Sequence, residues 1–109
     1  MFMLTSIMTV KANSVSTSGY GFTVNGYMCS TYTTSTVTGF YSGGSTATVQ
    51  VYCHLASGKK EYRYQSGTSY TRLNKPSDVY QWIHGYVKGI IYPAEGGSVS
   101  LTTTMMYPN

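Results

Sequence analysis

Ten consecutive residues restrict this chain more than any others. From Thr46 to Leu55, Ala47, Val49, Val51, Cys53 and Leu55 alternate with Thr48, Gln50, Tyr52 and His54. Side chains of a strand point to opposite faces in turn, so such a segment buries one face and exposes the other. A helix would scatter the same apolar residues around its circumference.

The rest of the chain follows the same period between closely spaced turn signals. Tyr62 and Tyr64 alternate with Glu61, Arg63 and Gln65. Val99, Leu101, Thr103, Met105 and Tyr107 alternate with polar residues and Met106. Asn25-Gly26 reads as a two-residue hairpin turn between Tyr20–Val24 and Tyr27–Tyr32, because both turn positions tolerate positive φ. Further turns are expected at 42–45, at Ser57-Gly58-Lys59, at Ser66-Gly67, and over 74–78 and 93–98. Composition agrees: 12 of 109 residues are Tyr, and Thr, Ser and Val are abundant. Thr, Val and Tyr favour pleated surfaces. The expectation is an all-β antiparallel sandwich or small barrel of about 7–8 strands. The strands at 46–55, 60–65 and 99–107 supply much of its core.

Residues 79–92 carry large side chains on both parities. Val79, Ile83 and Val87 share one with Gln81 and Gly85, while Tyr80, Trp82, His84 and Tyr86 share the other. This predicts a central strand. Gly85 and Gly89 would each cost a helix about 1 kcal/mol, and in a strand they indicate a bulge or close backbone approach.

Residues 1–12 read as the remnant of an export leader: an uncharged apolar stretch ends at Val10-Lys11-Ala12, with small residues suited to a cut after Ala12. No basic residues precede the stretch, and the alternative is an N-terminal strand. Residues 13–109 then form one domain, secreted or at the cell surface. No segment is long and apolar enough to be a transmembrane helix. Cys29 and Cys53 are the only cysteines. In an exported small domain they suggest a disulfide closing a loop of about 24 residues, stabilising by roughly 3 kcal/mol. The alternative is two separate thiols. With His54 and His84 they match no zinc spacing, so no metal and no cofactor is expected.

Catalysis finds little support. The carboxylates are Glu61, Asp78 and Glu95, and nothing in their placement pairs two of them. The chain lacks a nucleophile elbow and a phosphate-binding glycine loop. Its net charge is +4, but only Lys59, Lys60 and Arg63 cluster, so no specific nucleic-acid partner is indicated.

The residues point instead to a binding protein. Tyr80, Trp82, His84 and Tyr86 form one candidate row, although a lone tryptophan in a small sandwich is usually the pin of the core. Tyr52 and His54, on the polar face of 46–55, form a second with Arg63 of the next strand. The ligand class expected is a glycan, a cell-wall polymer or a protein. Two other readings stand beside this one. The first is a subunit of an extracellular filament or matrix, self-associating through strand edges. The second is a small secreted antimicrobial protein or toxin. The composition is common among small exported bacterial proteins, and no motif identifies a family.

Overall fold

The computed structural model describes residues 12–39, 46–75, 82–93 and 95–108. Eight strands run in chain order: β1 (Ser14–Gly19), β2 (Phe22–Met28), β3 (Tyr32–Thr38), β4 (Thr46–Leu55), β5 (Lys60–Ser66), β6 (Tyr70–Asn74), β7 (Trp82–Tyr92) and β8 (Val99–Thr102). They form two four-stranded antiparallel sheets, ordered β1-β2-β3-β6 and β5-β4-β7-β8. The chain passes between sheets three times, from β3 to β4, from β5 to β6 and from β6 to β7. β6 adds to the edge of the first sheet beside β3, and β7 returns to the second sheet beside β4, so the crossings interlock the two layers.

The alternation read from the sequence sets the core. Phe22, Val24, Met28 and Val37 point inward from the first sheet; Val49, Val51, Cys53, Leu55 and Val87 do so from the second. Fully burying each such side chain stabilises by about 1.5–3 kcal/mol. Strand β4 has the bounds its pattern predicts, and the turns expected at 57–59 and 66–67 are formed with Gly58 and Gly67 at positive φ.

The glycines of the central strands make room for the opposite sheet. A Cβ on Gly89 would lie 2.5 Å from Val37 Cγ2 and 2.6 Å from Val24 Cγ2. On Gly26 it would lie 2.7 Å from Val87 Cγ2 and 2.9 Å from Met106 Sδ. This corrects the hairpin expected at Asn25-Gly26. Strand β2 runs straight through that dipeptide, whose glycine serves packing. The turn lies earlier, at Tyr20-Gly21, with φ of 53° and 82°. Positive φ at both central residues gives the twist a two-residue hairpin needs.

Three further expectations are corrected. First, Cys29 and Cys53 are free thiols. Cys29 follows Met28, which points inward, so it has the outward parity, whereas Cys53 is fully buried. The two thiols bond separately, Cys29 Sγ with Thr31 Oγ1 at 3.3 Å and Cys53 Sγ to Thr33 Oγ1 at 3.5 Å. Second, Tyr62 and Tyr64 do not join the core; they are 70% and 51% exposed. The β4–β5 register pairs Val51 with Arg63 and Cys53 with Glu61, so the charged set of β5 takes the inner side. There Arg63 Nε donates to Thr71 Oγ1 at 2.9 Å, and the Thr71 hydroxyl donates to Gln65 Oε1 at 2.9 Å. Third, the last strand stops at Thr102. Thr103 turns inward, its amide donating to Val87 O at 2.9 Å and its hydroxyl accepting from Val87 N at 3.1 Å. Met106 is then buried and Met105 exposed, the reverse of a continued strand.

The expected leader lies outside the described residues except for Ala12, whose carbonyl accepts from Tyr107 N at 2.9 Å. Among the described residues no helix is long and apolar enough to cross a membrane.

Candidate functional site

The outer face of the β5-β4-β7-β8 sheet gathers aromatic and basic side chains in register. One row runs Tyr62, Tyr52, Tyr86, and the next runs Lys60, His54, His84. Tyr52 stacks on Tyr86 with ring centroids 4.8 Å apart and planes at 23°, and tilts against Tyr62 at 6.2 Å. His54 stacks on His84 at 4.3 Å, and Tyr107 meets His84 edge-on at 6.4 Å. Directly opposed residues of antiparallel strands approach closely enough for such ring pairs. The Tyr52 hydroxyl donates to Gln50 Oε1 at 3.0 Å, which fixes its ring along the strand.

Of the residues expected at a site, Tyr52, His54 and Tyr86 come together here. Arg63 does not, because its pairing with Val51 puts it on the inner side of the sheet. Trp82 does not either: it is 3% exposed and part of the core. A bulge separates it from its row. His54 pairs with His84 but Leu55 pairs with Trp82, so Ile83 is an extra residue on β7. The extra residue reverses the parity of what precedes it. Trp82 joins Leu55 inside, and Ile83 is 49% exposed. The Trp82 indole N–H finds no partner among the described residues. Tyr80 lies outside the described residues.

Beside Tyr86 the sheet is notched. The β7–β8 pairing ends at Lys88 with Thr102; Thr103 still bonds Val87, but Thr104 and Met105 are both exposed, and pairing resumes only as an isolated bridge between Gly85 and Met106, one residue out of register. The outer flank of Tyr86 therefore has no neighbouring strand residue. An open depression of about 340 Å³ occupies the gap, lined by Tyr52, Tyr86, Lys88, Thr102, Thr103 and Met105. Lys88, Thr102 and Met105 were not among the expected site residues. Lys88 was accessible to parity, being two residues beyond Tyr86; the notch depends on where β8 ends, which the alternation at 99–107 concealed.

Among the described residues the charged side chains of this face, Lys60 and Lys88, are both basic. His54 and His84 lie on the same face, whereas Glu61 faces inward and Glu95 sits in the exposed β7–β8 turn. Desolvation, the neighbouring His84 and Lys60 together hold the His54 imidazole below its usual value. Two other depressions, of about 360 and 390 Å³, differ in chemistry: the first has no charged lining residue, and the second sets Glu61 beside Lys59 and Lys60. On the opposite sheet the Arg72 guanidinium already lies over Tyr32, 3.9 Å from the ring centre.

The two thiols differ in character. Desolvation pushes the Cys53 thiol up to about 11. Partial burial also raises Cys29, but hydrogen bonds with the Thr31 hydroxyl and the Thr31 and Tyr32 backbone, with the Arg72 charge, outweigh it and bring it below its usual value. Among the described residues no three His, Cys, Asp or Glu side chains converge. No family model matches the chain, and comparison with curated proteins and with solved structures finds no match to either.

Proposed function

We propose that this is a non-enzymatic binding protein of the cell surface or extracellular space, recognising an acidic glycan or cell-wall polymer through the notch beside Tyr86. The observation that carries the reading is the adjacency of the Tyr86 ring and Lys88 in an open depression. Tyr52 occupies one flank of Tyr86, so the row of tyrosines offers a ligand mostly ring edges and hydroxyls. The notch is where the Tyr86 ring stays accessible. A sugar ring packs there on apolar carbon, its acidic group meets the Lys88 ammonium, and the Thr102 hydroxyl bonds a sugar hydroxyl. Such charge-assisted contacts are the stronger ones. A neutral polymer would lose the Lys88 contact. Export is the compartment in which such a polymer is met.

Affinity electrophoresis of the protein through gels containing polygalacturonate, with neutral dextran as control, tests the reading. Retardation is expected in the acidic gel alone, and Tyr86→Ala and Lys88→Gln should each weaken it by about tenfold, the effect of losing about 1.4 kcal/mol. Equal mobility of wild type and both variants in the acidic gel would contradict it.

One observation favours a second reading, that of a filament subunit. Strand β1 ends the order of its sheet and carries no charged residue, whereas edge strands usually carry a charge that discourages pairing. Concentration-dependent polymers under the electron microscope, lost in Thr17→Lys, would support that reading.

A further inference from the structure

The stacked histidines lie one row from the notch and belong to different chemistry. His54 and His84 are directly opposed across the β4–β7 ladder, their ring centroids 4.3 Å apart and planes at 29°. We infer that His54 and His84 form a two-imidazole site for a late first-row divalent cation, Ni(II), Cu(II) or Zn(II).

The inference rests on how the backbone places the rings. Opposed strand residues have Cβ atoms about 4.5–5.5 Å apart, so rotation about the side-chain bonds can turn the rings out of their stack and bring one nitrogen of each to about 2.0–2.1 Å from a shared ion. β4 lies between β5 and β7, and next to His84 the far side of β7 is held by the Gly85–Met106 bridge, so the backbones carrying both rings are anchored. Both rings are partly exposed, which leaves the remaining coordination positions to water. The donor set selects the metal: imidazole suits Ni, Cu and Zn, whereas Ca and Mg require oxygen ligands that this row lacks.

Among the described residues, the groups facing the pair are few. Lys60 of β5 stands opposite His54 and opposes a cation, and Tyr107 approaches His84 edge-on. The exposed Lys60 charge is screened by solvent, so it weakens binding without abolishing it.

The test is calorimetric titration of the untagged protein, in a Cys29→Ser background that removes the competing thiol, with Ni(II) at pH 7.5. One ion per chain is expected. His54→Gln and His84→Gln should each weaken binding by about tenfold or more, because the second imidazole acts at high effective concentration once the first is bound. Lys60→Gln should tighten it by about twofold, the size of one exposed charge contact. Should a glutamine variant fail to fold, Cu(II) added to the parent protein gives the same information by NMR, with broadening expected to begin at the His54 and His84 ring protons. No uptake of Ni(II), uptake unchanged in both variants, or broadening that begins elsewhere would overturn the inference.

Discussion

Val24 of one sheet occupies the space above Gly89 of the other, its Cγ2 only 2.6 Å from where a Cβ would stand. The contact lies between central strands, where neither backbone can withdraw without breaking ladders on both sides. Gly89→Ala should therefore destabilise the fold by about 1–3 kcal/mol, the usual effect of overfilling a packed core. Chemical denaturation would measure it. Val24→Ala in the same chain should recover part of the loss.

How much of this was legible beforehand depends on where the period of two is kept. In β4 it is unbroken, and strand bounds, core residues and outer residues follow directly. Gly85 and Gly89 likewise announced close approach. The pattern misled where a local feature changed the parity or its meaning. Ile83 is one extra residue, and it moves Trp82 from the ligand face to the core. Thr103 keeps the inward parity of Leu101, but Thr104 and Met105 both face outward, so Met106 takes the inner place expected for Met105. Gly26 mimics a turn residue while serving as a gap for Val87 and Met106. For β5, alternation alone gave two equivalent sides. Choosing the tyrosines for the inside ignored that β5 is an edge strand, where an inward charge is useful.

That edge suggests an experiment. Arg63 points inward from the outermost strand of its sheet and bonds Thr71, so a second chain pairing there would have to displace or bury its guanidinium. Arg63→Val should remain folded but form dimers or larger species as concentration rises, seen by light scattering after gel filtration. A variant that stays monomeric at every concentration would contradict this role.

The thiols are expected to behave separately. The intact mass should not change on reduction of a protein purified without oxidant. Brief alkylation at pH 7.5 should modify Cys29 and spare Cys53, whose thiol is buried and stays protonated up to about 11. Cys53 should react only after unfolding.

His54 ties stability to pH. Its folded value lies below the usual 6.5, so the neutral ring is the form the fold prefers. Its contribution is fully present above 6.5 and is lost as pH falls below that value toward the folded one, where the unfolded chain takes up the proton first. Denaturation midpoints should decline across that window, and His54→Gln should flatten the decline.

Acrylamide quenching of Trp82 fluorescence tests the account most directly, since this is the chain's single tryptophan and the bulge at Ile83 alone removes it from the face carrying Tyr86 and His84. The account predicts emission at short wavelength and slow quenching, unchanged by any ligand of the outer face. Emission near that of free tryptophan with rapid quenching would show the ring outside, with the row continuous and the proposed site drawn in the wrong place.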